Sequence, residues 1–173
     1  MDLKGMIRTV PDFPRKGIMF RDITTLLLDG AALDESATLL AERFRPKKPE
    51  LVFGVESRGF IIGAAVALKL GIGFAPVRKK GKLPAKTIRA RYALEYGTDC
   101  IEMHADAVKR GQRVLLIDDL LATGGTAKAA ARLVERAGGR VVGCGFLIEL
   151  SFLKGAQKLK KYGVYSLIRY ESE

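Results

Sequence analysis

The feature that most constrains this chain is an alternation of short, continuously apolar runs with segments of helical periodicity. The apolar runs are LVFGV (51–55), GFAPV (73–77), RVLLI (113–117), VVGCGFLI (141–148) and VYSLI (164–168). Strands without polar alternation are typical of a parallel sheet whose two faces are both covered. The sequence therefore predicts an α/β fold, in which helices flank a parallel β-sheet and form right-handed crossovers between its strands.

Three helices are expected between these runs. Residues 34–44 form the first, with Asp34 as the expected N-cap, and residues 60–70 form the second. The third starts near Thr126 and stops at Gly138. Its apolar positions, spaced by three and four, are Ala127, Ala130, Leu133, Val134 and Ala137.

Length and composition indicate one domain. With 173 residues and a mass of 18.9 kDa, the chain can bury a core without disulfides or metals. We expect a single domain over 1–173, with a small hood (1–33) and an α/β core (34–173). Residues 78–99 fit the strand–helix rhythm poorly, and we expect them to form a flexible cover loop over the carboxyl edge of the sheet.

The cysteines and apolar runs argue against several classes of protein. Cys100 and Cys144 form no CxxC motif, and His104 is the single histidine, so no zinc site is expected and both cysteines are expected to be reduced. Glycines and Lys69 interrupt the longest apolar stretch, and the first ten residues lack a signal-peptide core. We therefore expect a cytoplasmic protein without a membrane partner.

The net charge of +11 favours anionic ligands. Seven of the cations fall within residues 78–91, but aromatic residues do not alternate with them as they do on a platform that stacks single-stranded nucleic acid. We therefore expect a phosphorylated small molecule rather than nucleic acid.

The stretch VLLIDDLLATGGT (114–126) predicts a ligand site. An apolar strand ends in Asp118 and Asp119, and a glycine-rich turn with Thr123 and Thr126 leads into a helix. Free N–H groups at a helix start bind phosphate, and glycines let the phosphate approach the backbone. Carboxylates would repel that phosphate, so they are expected to face vicinal hydroxyls, a metal or both. A sugar phosphate satisfies both halves of the site.

Two other nucleotide-binding classes are not expected, because the motifs that define them are incomplete or absent in this sequence. GVESRGF (54–60) resembles part of a P-loop, but Phe60 occupies the position of the essential lysine. The chain also contains no G-x-G-x-x-G fingerprint. Neither a nucleoside triphosphatase nor a dinucleotide enzyme is expected.

Five motifs in order resemble the type I phosphoribosyltransferases, and within that family the members that act on adenine. These motifs are FPRKGIMFRDIT (13–24), GVESRGF (54–60), PVRKKGKLP (76–84), YALEYGTD (92–99) and IDDLLATGGT (117–126). The resemblance covers nearly the whole chain. It implies a pentosyltransferase of purine salvage, which converts adenine and 5-phosphoribosyl-1-pyrophosphate to AMP and pyrophosphate. It also implies Mg²⁺ held through the substrate, with no direct protein ligand, and a homodimer.

The resemblance assigns two groups of residues to the ribosyl pyrophosphate. Asp118 and Asp119 face the ribose hydroxyls, and the loop that holds the 5-phosphate consists of Ala122, Thr123, Gly124, Gly125 and Thr126. The residues implied for pyrophosphate are Ser57, Arg58, Gly59, Arg78, Lys79 and Lys82.

For the base, the resemblance implies contacts with Met19, Phe20 and Arg21, whose main chain at 19 and 21 reads the purine edge. Arg58 and Leu120 are expected to pack on the faces of the ring, since a guanidinium stacks well on a heteroaromatic ring.

One absence bears on which purine is accepted. Family members that act on 6-oxopurines carry an aspartate where this chain has Ala122, which cannot exchange a proton. Glu95 is the implied general acid or base on the purine.

Some alternatives remain open. Transfer to xanthine, hypoxanthine or guanine is one, and a non-catalytic regulator that binds the ribosyl pyrophosphate is another. Arg89 and Arg91 either pair with Glu95 or Asp99 or face solvent.

Overall fold

The computed structural model describes residues 1–93 and 97–172. Within those ranges the α-helices are α1 Thr24–Leu27, α2 Gly30–Phe44, α3 Gly59–Leu70 and α4 Gly125–Arg136. The strands are β1 Arg8–Val10, β2 Phe20–Asp22, β3 Leu51–Val55, β4 Gly73–Lys79, β5 Thr87–Ala93, β6 Thr98–His104, β7 Arg113–Leu121, β8 Arg140–Leu150 and β9 Val164–Tyr170. Short 3₁₀ helices cover Arg45–Lys47, Ser151–Leu153 and Gly155–Tyr162.

A seven-stranded sheet with the order β5-β6-β4-β3-β7-β8-β9 forms the centre of the molecule. All five apolar runs are strands, and they are parallel neighbours from β4 to β9, as predicted. The other two strands, β5 and β6, form an antiparallel hairpin on the β4 edge. The sheet is therefore mixed, because part of the basic segment that we expected to be a loop continues it.

Two apolar layers cover the sheet, one on each face. Along β3, Leu51, Phe53 and Val55 pack into the layer that contains α4. Val52 points to the opposite face, where α2 and α3 pack. Strand side chains alternate between the two faces, and an apolar layer covers each face, which explains why apolar residues follow one another along these runs.

The start of α2 differs from the prediction. The helix begins four residues earlier, and its N-cap is Asp29, whose carboxylate accepts a hydrogen bond from the amide of Ala32 at 2.9 Å. Asp34 is not the cap; it lies inside the helix and pairs with Lys69 of α3 at 2.7 Å.

The N-terminal segment contributes to the core and also forms a separate two-stranded sheet, β1–β2. Ile23 and Leu26 are fully buried against α2 and α3. The small β1–β2 sheet is joined by an ion pair between Arg8 and Asp22. Hydrogen bonds from Thr24 and Arg8 lower the pKa of Asp22 to about 2. This arrangement fixes Phe20 and Arg21 beside the ends of the central strands.

Both cysteines are free thiols, as expected. Burial raises the pKa of Cys144 to about 12, which keeps this thiol protonated. No helix in the described ranges is long and apolar enough to span a bilayer.

Candidate active site

The site forms where β3 and β7 end side by side. Their pairing places Gly54 opposite Ile117, so the chain segments that follow these two strands leave the sheet together. A Cβ added at Gly59 would lie 2.5 Å from Oδ1 of Asp118, which explains the need for glycine at this position. The SRG turn and the acidic pair are therefore in direct contact, although about sixty residues separate them in sequence.

The glycine-rich turn forms a cavity of about 210 Å³ at the start of α4. Gly124 has a φ of 77°, a conformation that favours glycine. The cavity is lined by Arg58, Asp118, Asp119, Leu120, Leu121, Ala122, Thr123, Gly124, Gly125, Thr126 and Ala127. All five predicted phosphate-loop residues thus face one space with both carboxylates, as a sugar phosphate requires.

Gly155 supports this turn from behind, a role that no local sequence signal predicts. A Cβ added at Gly124 would lie 2.5 Å from the carbonyl oxygen of Gly155. A Cβ added at Gly155 would overlap the carbonyl oxygen of Ala122. The two backbones are therefore packed without room for a side chain, and this contact holds the turn open toward the cavity.

The acidic pair is electrostatically unfavourable. Burial, and then the charge of Asp119, raise the pKa of Asp118 well above its ordinary value of 3.8. Arg58 is the compensating cation, with its Nε 2.7 Å from Oδ2 of Asp119. Oδ2 of Asp119 is buried and receives no directed hydrogen bond among the described residues, so the contact is an ion pair only. These carboxylates therefore retain capacity to accept hydrogen bonds from a ligand.

Arg58 also connects the acidic pair to the aromatic wall of the site. Its guanidinium carbon lies 5.0 Å from the centre of the Phe20 ring. A larger cavity, of about 790 Å³, brings these groups together with other predicted residues. Its lining is Phe20, Val55, Glu56, Ser57, Arg58, Lys79, Tyr92, Asp99, Asp118, Asp119 and Thr126.

Of the remaining predicted base residues, Met19 and Arg21 line a neighbouring cavity of about 290 Å³, whereas Leu120 lines the phosphate cavity. Met19 and Arg21 form one side, and Ala122 with Thr123 form another. The third side consists of Leu150, Phe152 and Leu153, which were not predicted from the sequence. Their position directly after an apolar strand was a usable signal, because ligand sites lie beyond the carboxyl ends of parallel strands.

Two of the predicted pyrophosphate cations, Arg78 and Lys79, are held by Glu56, a residue that was not predicted from the sequence. Arg78 donates to both oxygens of this carboxylate, at 3.2 and 3.3 Å, and the amide of Lys79 donates to Oε2 at 3.0 Å. Burial alone would raise the pKa of Glu56, but these donors outweigh it and lower the pKa. Lys79 lines the large cavity, whereas Arg78 lies behind Glu56 and donates to the carbonyl oxygen of Lys82 at 3.1 Å.

Tyr92 and Asp99, one from each strand of the hairpin, close the large cavity from the side. The Tyr92 hydroxyl donates to Oδ2 of Asp99 at 3.1 Å, and Lys79 Nζ lies 3.7 Å from the same oxygen. A hydrogen bond from the amide of Cys100 lowers the pKa of Asp99, and Tyr92 and Lys79 lower it further. Burial acts in the opposite direction, but its effect is smaller. Asp99 is thus an ionised partner for Lys79.

The two arginines left open by the sequence have different surroundings. Arg89 pairs with Glu102, not with Asp99, at 3.5 Å. Arg91 is exposed and lines a separate cleft. Glu95, the predicted general acid or base, lies outside the described residues.

Comparison with known proteins agrees with this geometry. Residues 23–171 match the model of the phosphoribosyl transferase domain, which defines the class of the fold and of its site. An adenine phosphoribosyltransferase of Clostridium perfringens is 57% identical over 99% of both chains. The crystal structure of the Thermoanaerobacter pseudethanolicus adenine phosphoribosyltransferase superposes with a TM-score of 0.95, at 53% identity over 98% of each chain.

A Saccharomyces cerevisiae adenine phosphoribosyltransferase, solved with adenine and an iminoaltritol bisphosphate, is 40% identical over 96% of each chain, with a TM-score of 0.89. The chain therefore belongs to the adenine phosphoribosyltransferase family.

Proposed function

We propose that this chain transfers a 5-phosphoribosyl group from 5-phosphoribosyl-1-pyrophosphate to adenine and releases AMP and pyrophosphate. Membership of the adenine phosphoribosyltransferase family supports this reaction. The main structural support for this reaction is that the acidic pair and the glycine-rich phosphate turn line one cavity. An anion cradle next to hydroxyl acceptors matches the two ends of a phosphorylated ribose.

We assign the 5-phosphate to residues 122–126. Backbone N–H groups at the start of α4 point toward that position, and the helix dipole there stabilises a negative charge by about 0.3–2 kcal/mol. Thr123 and Thr126 supply hydroxyl donors. This anchor fixes the ribose relative to the base.

We assign the ribose hydroxyls to Asp118 and Asp119. In the described structure Arg58 supplies the positive charge beside Asp119. A ribose diol donates hydrogen bonds to the same carboxylates, which compensates part of their burial. Arg58 is then available to pack against the base on the side of Phe20.

We place pyrophosphate near Ser57, Arg58 and Gly59, with Lys79 facing it from β4. Arg78 and Lys82 would contribute positive charge to the pyrophosphate position from behind Glu56. Arg78 is held there by hydrogen bonds to the carboxylate of Glu56 and to the carbonyl oxygen of Lys82. Fixed cations stabilise the charge that grows on the leaving oxygen as the C1 bond breaks.

Mg²⁺ fits this site as a substrate-held ion. No group of three or more potential ligand side chains occurs among the described residues, and Mg²⁺ commonly uses one or two carboxylates plus substrate phosphates. Asp118 and Asp119 are the oxygen donors closest to the proposed ribose position, so they would hold the Mg²⁺ ion indirectly, through the ribose hydroxyls. When bound, the ion neutralises pyrophosphate charge.

We place adenine between the hood and Leu120, where the main chain of Met19 and Arg21 reads the purine edge. Ala122 removes the carboxylate that 6-oxopurine enzymes use, so proton exchange with the base is assigned to Glu95. General acid–base help of this kind contributes about 10²–10⁴ in rate.

Substitution at C1 passes through an oxocarbenium-like transition state, as in glycoside hydrolysis. The chain aligns the two reactants and neutralises the leaving group, so effective concentration carries much of the acceleration. No covalent intermediate is required, and Ser57 serves as a binding residue. We further propose that residues 1–173 act as one domain, in which 1–33 form a hood over the base, and that the protein is a cytoplasmic homodimer.

The test is an assay of purified protein with magnesium, the ribosyl pyrophosphate and each of adenine, hypoxanthine, guanine and xanthine. We expect AMP from adenine and no nucleotide from the three oxopurines. Faster turnover of any oxopurine would overturn the assignment of the base. Salt-dependent DNA binding without turnover would instead indicate a regulator.

A further inference from the structure

A second basic cleft lies outside the proposed active site. It has a volume of about 280 Å³ and is lined by Arg91, Tyr92, Ala93, Gly125, Lys128, Ala129, Arg132 and Lys158. We call this set the basic cleft. It touches the active site only at Gly125 and Tyr92, which also line the phosphate and large cavities. None of its lysines or arginines was assigned to the transfer reaction.

Four cations from three separate elements converge on this cleft. Arg91 comes from β5, Lys128 and Arg132 from α4, and Lys158 from the 3₁₀ helix Gly155–Tyr162. Its lining contains no carboxylate in the part of the chain that the structure describes. Within the same ranges, none of the four has an ion-pair partner.

Three neighbouring cations, in contrast, have a partner. Lys161 lies 2.8 Å from Glu135, Arg89 lies 3.5 Å from Glu102, and Arg136 donates to the carbonyl oxygen of Arg89 at 2.6 Å. These three partnered side chains differ from the four cations of the basic cleft, for which no ion pair occurs among the described residues.

This arrangement is unfavourable without an anion. Lys128 and Arg132 are four residues apart on α4, and like charges at this spacing destabilise a helix. Lys128 also lies in the first turn of α4, where the helix dipole disfavours a cation and no acidic residue is present. A bound polyanion would relieve both repulsions.

We infer that the basic cleft binds the di- or triphosphate group of a small molecule, at a site separate from the transfer reaction. Four cations match the three to four negative charges that such a group carries near neutral pH. The cleft's volume of about 280 Å³ lies just below the roughly 300 Å³ at which drug-sized ligand pockets start, so it suits a phosphate chain rather than a whole nucleotide. Nucleic acid is disfavoured because the cations converge on one cavity instead of following a stripe.

Calorimetric titration of the whole protein with inorganic triphosphate, in magnesium-free buffer of low salt, tests this site. We compare wild type with the double variant Lys128→Ala/Arg132→Ala and with Lys47→Ala, an exposed cation on a distant 3₁₀ helix. We expect the double variant to lose one binding event per chain, or to bind there at least about tenfold more weakly. Lys47→Ala should titrate like wild type.

Two further measurements make the result interpretable. Thermal unfolding should show the double variant to be at least as stable as wild type, because it removes repelling charges, and it should keep adenine transfer. Loss of transfer in all proteins would refute the proposed function without bearing on the cleft. Identical triphosphate isotherms for the double variant and wild type would overturn the cleft assignment.

The source of the phosphate chain is decided by a parallel titration with a nucleoside triphosphate. Tighter, variant-sensitive binding than inorganic triphosphate supports a nucleotide ligand, and equal binding supports a free polyphosphate. Variant-sensitive binding of a short DNA duplex, with no triphosphate binding, would contradict the small-molecule site.

Discussion

The ion pair between Arg58 and Asp119 offers a quantitative test of the active-site electrostatics. Arg58→Met keeps a long side chain against Phe20 but leaves the buried Asp119 carboxylate beside Asp118 without its cation. Breaking a fully buried pair costs about 3–5 kcal/mol, and exposed pairs contribute about 0–1 kcal/mol. The side chains here are 33% and 9% exposed, so we expect a loss of about 1–3 kcal/mol.

For a chain of this length, each kcal/mol shifts the unfolding temperature by about 2–4 °C. Arg58→Met should therefore unfold about 2–12 °C below wild type at neutral pH, measured by circular dichroism on ligand-free protein. Because the substitution also removes the contact with Phe20, the measurement needs the background variant Asp119→Asn, which has no charge at this position.

In the Asp119→Asn background, Arg58→Met should cost less than about 1 kcal/mol, the size of the remaining cation–π contact. An equal loss of stability in both backgrounds would show that the ion pair contributes nothing, and the reasoning about the acidic pair would fail.

Three other substitutions address separate features of the site. The pKa of Asp118 is raised in the folded state, so the stability of the fold falls as pH rises above 3.8 toward the folded pKa. Asp118→Asn removes this carboxylate and should raise the unfolding temperature of ligand-free protein at neutral pH. A lower unfolding temperature in calorimetry would contradict this expectation. Gly124→Ala places a side chain at a φ of 77° and close to Gly155, and should lower the free energy of unfolding in urea by about 1–3 kcal/mol. Gly125→Ala, whose Cβ would meet nothing nearer than 3.5 Å, should lower it less. Equal losses for the two variants would refute the packing of Gly124 against Gly155. Glu95→Gln should lower kcat for adenine by about 10²–10⁴ with the protein still folded, and near-full turnover would remove Glu95 from the proton-transfer role.

Local chemistry alone determined the five central strands, the presence of α2, α3 and α4 but not the start of α2, and the phosphate turn. Successive apolar residues along each run allow it to be buried on both faces. The helix after Gly124 is marked by the spacing of its alanines, Leu133 and Val134. The pairing of Asp118 and Asp119 with a glycine turn also needs no distant partner to be recognised, because the ligand chemistry follows from residues adjacent in sequence.

Only the tertiary structure decided which distant groups restrain that site. The hairpin β5–β6 forms because an edge of the sheet is available to it, and this pairing brings Tyr92 to Asp99. Gly155 supports Gly124 from about thirty residues away in sequence, and Arg58, which follows β3, contacts Asp119 of the neighbouring strand β7. Such contacts depend on which elements become neighbours in space, and neither periodicity nor turn chemistry within a short window carries that information.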